Sequence, residues 1–139
     1  MAHPTIKYLD HGLLLLRIGI GIFYIFHGYP KLFGGPERWE AVGGAIGVLG
    51  IGFMPVFWGF MAAVAETFGG IFLILGLFTR PAAGLLFITM FVAALFHISS
   101  GDPYSSISHA GKMAVLFLSL IIIGPGRYSL DNKINKRRR

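Results

Sequence analysis

The stretch "GFMAAVAETFGGIFLILGLFTRP", residues 59–81, decides how this chain folds. It is apolar and rich in small residues, yet Glu66 sits inside it. The uninterrupted run extends from Pro55 to Phe78, with Glu66 as its only formal charge. A helix needs about 20 such residues to cross the hydrocarbon of a bilayer. Glu66 then lies near the midplane, where a carboxylate costs roughly 2.5–3.5 kcal/mol even on lenient insertion scales. It must therefore face other helices rather than lipid. Ala62, Gly69 and Gly70 stand three and four positions away and share its face. Small residues on one stripe let a second helix approach closely.

The rest of the chain has the same character. It has 139 residues, enough for one domain. Hydrophobic residues make up 55% and charged ones 13%, with a mean hydropathy of +0.71. That leaves too little polar surface for a soluble domain. There are no cysteines, which excludes disulfides and thiolate metal sites in this chain. Three further apolar stretches cover Leu13–Phe33, Pro81–Ile98 and Ser108–Gly124. None alternates with period two, which argues against a membrane barrel. The sequence predicts an all-α integral membrane protein, a four-helix antiparallel bundle with spans at 13–33, 55–78, 81–98 and 108–124. Residues 1–132 form its single domain, and 133–139 form a basic tail.

With four crossings, both termini and the connection "TRP" at 79–81 share one side. That side collects Lys7, Arg17, Arg80, Arg127, Lys133, Lys136 and Arg137 to Arg139, nine residues. The other side has Lys31, Arg38 and Lys112. The excess of Lys and Arg places both termini on the cytoplasmic side of the membrane. A basic run following a hydrophobic span marks such a tail, not a nucleic-acid site. Between the first two spans, "GGPERWEAVGGAIGVLGIGFMP" carries Pro36 at a helix start and Trp39, Val42, Ile46 and Leu49 at helical spacing. It predicts a short helix in the outer interface or a re-entrant loop.

The first span carries a polar stripe at helical steps, namely Arg17, Gly21, Tyr24, Gly28 and Lys31, with His27 beside it. Thr89, Ala93 and His97 share a face of the third span; His109, Lys112, Leu116 and Ser119 share one on the fourth. Depth along the spans places Arg17 near the cytoplasmic end and Tyr24, His27 and Lys112 in the outer half. The expected arrangement is a cavity opening outward, with Glu66 at its floor and Glu66, Lys112, Tyr24 and His27 as its ligand candidates. Lys112 is the expected partner of Glu66, and Arg17 its competitor from below. The bland reading makes Glu66 a structural charge that fixes helix register, with Arg17 and Lys31 snorkelling to the two interfaces. Haem ligation by His27 and His97 is disfavoured by their differing depth. No metal site, dinucleotide loop or phosphate loop is present in the sequence.

Three segments, "LLRIGIGIFYIFHGYPKLFGG", "AETFGGIFLILGLFTRPAAGLL" and "GPGRYSLD", together resemble the DoxX family of bacterial and archaeal membrane proteins. The likeness runs over about residues 12 to 131. It implies a small four-helix inner-membrane protein. Some members are subunits of a thiosulfate:quinone oxidoreductase or of quinol-oxidase assemblies, and another group belongs to an oxidoreductase complex for oxidative stress. Arg17, His27, Gly28, Lys31, Glu66, Gly69, Gly70, Thr79 and Arg80 match the family's recurring residues. The fourth helix departs from the pattern, with Lys112 where members often carry an acidic residue.

The function expected from these readings is a quinone-interacting or accessory subunit of a membrane redox system. It has no intrinsic cofactor, and its partners are membrane lipid, a quinone and an oxidoreductase. A non-enzymatic carrier of a small amphiphile, or a membrane anchor for an oxidoreductase, are the rival readings. Arg17, Arg80, Gly69 and Gly70 are expected to serve structure in each of them.

Overall fold

The computed structural model describes residues 4–138 and is all-helical among them. Residues 1–3 of the expected domain and Arg139 of the expected tail lie outside the described residues, as does the side chain of Lys7. The elements are α1 (Pro4–Leu32), α2 (Pro36–Gly43), α3 (Pro55–Leu75), α4 (Thr79–Ser99), α5 (Tyr104–Ile123) and α6 (Leu130–Arg137). A 3-10 segment, Gly44–Leu49, follows α2. Among the described residues four helices are long and apolar enough to cross a membrane: α1 from Tyr8 onward, α3, α4 and α5. The short element between the first two spans is a helix, and it packs along α3 rather than standing free.

The predicted spans and the observed helices agree in number and differ at their ends. Helix α1 begins nine residues before Leu13, because "PTIKYLDHG" is compatible with helix although it is polar. Helix α3 stops at Leu75, three residues short of Phe78. Gly76 takes φ +64°, and the N–H groups of Gly76 and Leu77 fold back onto the carbonyls of Leu73 and Phe72. This left-handed glycine closure satisfies the last carbonyls and ends the helix whatever the hydropathy beyond it. The expected tail is also partly ordered. Ser129 accepts from the Asn132 N–H and starts α6, so the basic run winds into helix.

The core forms where the four spans meet. Leu13, Tyr24, Leu73, Ala83, Leu86, Met90, Ala114, Phe117 and Leu120 are buried together. On α1 the buried positions are Leu13, Arg17, Gly21, Tyr24 and Gly28; the last four belong to the stripe read from the sequence, whose fifth member, Lys31, is half-buried. Helices α1 and α3 cross with backbones almost touching. A Cβ built on Gly21 would lie 2.6 Å from the Gly70 carbonyl oxygen, and one on Gly70 would lie 2.7 Å from that of Gly21. Gly69 faces the other way, toward the Leu86 side chain of α4. The glycine pair therefore serves two neighbours, one each.

Candidate functional site

The two ends of the bundle carry the polar groups, and they are built differently. At the end that holds both termini, Arg17 is fully buried. Its guanidinium donates to the Leu73 carbonyl at 3.3 Å and to the Tyr128 carbonyl at 2.5 Å. Asp131 receives the N–H groups of Phe78 and Thr79, both at 2.9 Å, on its two carboxylate oxygens. It thereby caps α4, whose first N–H groups have no partner within the helix. The Asp131 N–H in turn donates to the Gly76 carbonyl at 2.9 Å. Asp10 of α1 accepts the Arg127 N–H at 2.8 Å. The segments "LGLFTRP" and "GPGRYSLD", far apart in sequence, thus form one clasp across the bundle end. Arg80 is exposed there, and its guanidinium lies beside Gly124.

Arg17 is therefore not the partner of Glu66. Its charge is spent on two backbone carbonyls, one of them from the C-terminal segment.

Toward the opposite end, Glu66 in the middle of α3 is 1% exposed and paired with Lys31 from the last turn of α1. The Lys31 ammonium donates to both carboxylate oxygens, at 3.0 and 2.9 Å. This corrects two expectations, the Glu66–Lys112 pair and a Lys31 that snorkels away. The reason lies in the α1–α3 crossing. A Cβ on Gly28 would fall 2.6 Å from the Thr67 nitrogen and 2.8 Å from the Glu66 Cβ. Only glycine lets α1 pass this close, and Lys31 sits one turn further along the same face. Lys112 lies two residues from each of Ala110 and Ala114, the buried positions of α5. Two residues are about 200° of helix, so its side chain leaves on the opposite, exposed face.

Beside the pair lies a cleft of about 500 Å³. Its polar lining comes from His27 and Lys31 of α1, Glu66 of α3, His97 of α4 and His109 of α5. Phe57, Met61, Leu85 and Ile88, all exposed, line its apolar part between α3 and α4. The 3-10 segment contributes Ala45 and Ile46. The His27 and His109 rings stand 6.5 Å apart, centroid to centroid. His97 Nδ1 lies 2.6 Å from an Asp102 carboxylate oxygen, an ion pair when the ring is protonated. Trp39 of α2 donates its indole N–H to the Lys31 carbonyl at 2.8 Å and packs edge-on against Phe60. It fixes the end of α1 that carries the lysine.

Of the four ligand candidates, Glu66 and His27 line the cleft, while Tyr24 and Lys112 do not. Tyr24 is buried in the core edge-on to Phe117, with ring centroids 5.0 Å apart. Its hydroxyl has no hydrogen-bond partner among the described residues. The face Thr89, Ala93 and His97 lines the cleft as a unit. His27 and His97, which their estimated depths set apart, belong to one cavity. Among the described residues no three His, Asp or Glu side chains gather as a metal set. Lys31 and His109 are the cleft residues the sequence reading undervalued. The spacing Gly28–Lys31 against Glu66–Gly70 was the signal for the lysine.

A four-span helical bundle with a buried ion pair beside a cleft defines a small multi-pass membrane protein. The chain belongs to the DoxX family, whose profile matches residues 12–98. It is 36% identical to an uncharacterized protein of Haemophilus influenzae, over 94% of this chain and 96% of that one. It is 34% identical to the inner membrane protein YphA of Escherichia coli K12, over 93% of this chain and 99% of YphA. A third relative, the provisionally named oxidoreductase CatD of Bacillus subtilis, is 33% identical over 70% of this chain and 67% of its own. No solved structure matches the chain significantly.

Proposed function

We propose that the chain is a quinone-binding, membrane-embedded subunit of a redox system, with Lys31, Glu66, His27 and His109 at the head-group end of the cleft. One observation carries this reading. The bidentate Lys31–Glu66 pair lines a cleft whose remaining lining is mostly apolar and includes exposed side chains of α3 and α4. Such a shape suits a ligand with a compact polar head and a tail that stays in lipid.

The residues present fit a quinone head. The Lys31 ammonium has three N–H donors and uses two on Glu66. The third can donate to a carbonyl oxygen in the cleft. Glu66 holds the lysine in place and keeps its charge local. The imidazoles of His27 and His109 each offer a donor or an acceptor, and together they can carry a proton between the head-group end and the mouth. A bound quinone would supply two-electron carrier chemistry. The electrons would come from a partner protein of the oxidoreductase class, and the name given to CatD supports a redox setting for the family.

Both termini are proposed to face the cytoplasm of a bacterial inner membrane. The sequence count of nine Lys and Arg against three supports that orientation.

The test is the quinone content of protein purified in mild detergent, measured by mass spectrometry of an organic extract. Near-stoichiometric quinone in the natural protein, lost in Lys31→Met and Glu66→Gln, is the expected result. Enrichment of another amphiphile instead of quinone would make the chain a carrier or binder. No enrichment over bulk membrane lipid would sink the ligand reading and favour an anchor for an oxidoreductase.

A further inference from the structure

Helix α6 has one side committed and one side free. Asp131 spends its carboxylate on the N–H groups of Phe78 and Thr79, and Asn132 donates its side-chain amide to the Arg127 carbonyl at 2.9 Å. These two side chains set the side that faces the protein. At about 100° per residue, Leu130, Lys133, Ile134 and Arg137 gather on the side turned away, and all four are exposed. Leu130 and Ile134 are 37% and 41% exposed. Asp131 is the only acidic residue of the helix, and it serves as the cap of α4. What remains on the free face is two aliphatic side chains flanked by cations.

The position of this face matters as much as its composition. Spans α3 and α4 end at Leu75 and begin at Thr79, so a membrane boundary must run past the turn between them. Phe78 lies exposed in that turn. Asp131 ties the start of α6 to the same turn by two hydrogen bonds.

We propose that the free face of α6 binds anionic phospholipid head groups of the adjacent leaflet. Leu130 and Ile134 enter the acyl boundary, and Lys133 and Arg137 reach the phosphates. A merely solvated face has no use for two outward aliphatic side chains beside its cations, and an amphipathic basic helix at a bilayer boundary does. The proposal is independent of any ligand in the cleft at the other end.

The chain has no cysteine, so Ile134→Cys gives a single site for a nitroxide spin label on the full-length protein. The labelled protein is reconstituted into vesicles of phosphatidylcholine alone or with phosphatidylglycerol added. The readout is the label's collision rate with oxygen relative to a water-soluble nickel chelate. That ratio is expected to rise when phosphatidylglycerol is present and to fall back at high salt. Each cation near an anionic surface favours the bound form about fivefold. Adding K133Q and R137Q should therefore weaken the response more than tenfold. A label on the other side, at Asn135→Cys, should respond less. Equal nickel access in both vesicle types would assign the face to water or to an acidic protein and overturn the proposal. So would a phosphatidylglycerol response that survives K133Q and R137Q. If the doubly substituted chain does not fold, the comparison of the two lipids and the salt dependence with Ile134→Cys alone still decide.

Discussion

The two ends of the bundle spend their charges on different things. At the terminus-bearing end, Arg17 and Asp131 bond to backbone carbonyls and N–H groups that the helix ends leave unpaired. Of the described groups there, Arg17 Nε and Thr79 Oγ1 stay buried without a hydrogen-bond partner, and neither residue lines the cleft. At the other end, Lys31 and Glu66 bond to each other and keep a donor in reserve beside an open cleft. A charge that satisfies the main chain serves the fold, whereas a side-chain pair beside a cavity can also serve chemistry. Substitutions at the two ends should therefore separate, with stability alone lost at one and ligand lost at the other.

The largest effect is expected for Lys31→Met. It leaves the Glu66 carboxylate buried and unpaired, a change that costs about 3–5 kcal/mol when one member of a buried pair is removed. Thermal unfolding in detergent should fall accordingly, and the extracted ligand should vanish with it. Replacing both members, as Lys31→Met with Glu66→Leu, should recover much of the stability and none of the ligand. A double substitution that is as unstable as the sum of the singles would break the assigned pair.

At the closed end, Asp131→Ala removes two charge-assisted hydrogen bonds from the start of α4. It also frees Phe78, which is held in the left-handed region at φ 46°. Hydrogen bonds to charged groups are worth about 1.5–3 kcal/mol each. A loss of about 3 kcal/mol is expected, and Asp131→Asn should retain about half of it. Ligand per folded molecule should not change. A parallel loss of ligand would show that the two ends are coupled.

The contrast also shows what a sequence can disclose. The four spans and the buried stripe on α1 were legible because hydropathy and helical period act locally, and Gly21, Tyr24 and Gly28 recur at the right steps. The close approach at Gly70 was legible for the same reason. The choice between Lys31, Lys112 and Arg17 was not, because it depends on the rotation of α5 and the depth of the α1–α3 crossing. Charge and approximate depth pointed to Lys112, with Arg17 as its competitor, and left Lys31 at the interface. The clasp was hidden for another reason. Asp131 caps a helix that begins 52 residues earlier, and hydrogen bonds to backbone leave no pattern in side-chain spacing.

The crossing that selects Lys31 can be probed more gently with Gly28→Ala. The added methyl meets the Thr67 backbone and the Glu66 Cβ, neither of which is a flexible side-chain tip. Overpacking of this kind costs about 1–3 kcal/mol. Because it pushes α1 from α3 beside the pair, ligand content should fall more than it does for a variant of equal stability at the closed end. Equal ligand content in two such variants would show that the pair tolerates the shift and that its spacing does not set the site.

The smallest effect is expected at Lys112, and it bears on the rotation of α5. Its side chain points away from Ala110 and Ala114, on an exposed face shared with Val115 and Ser119. Lys112→Met should change stability by no more than about 0.5 kcal/mol, as exposed substitutions do. It should also add independently to Glu66→Gln. A coupling above about 0.5 kcal/mol between the two would mean that Lys112 reaches the carboxylate. Helix α5 would then have to turn by nearly half a revolution. That turn would carry Phe117, which packs edge-on against Tyr24, out of the core. Additivity at Lys112 together with coupling at Lys31 therefore fixes which side of α5 faces the bundle.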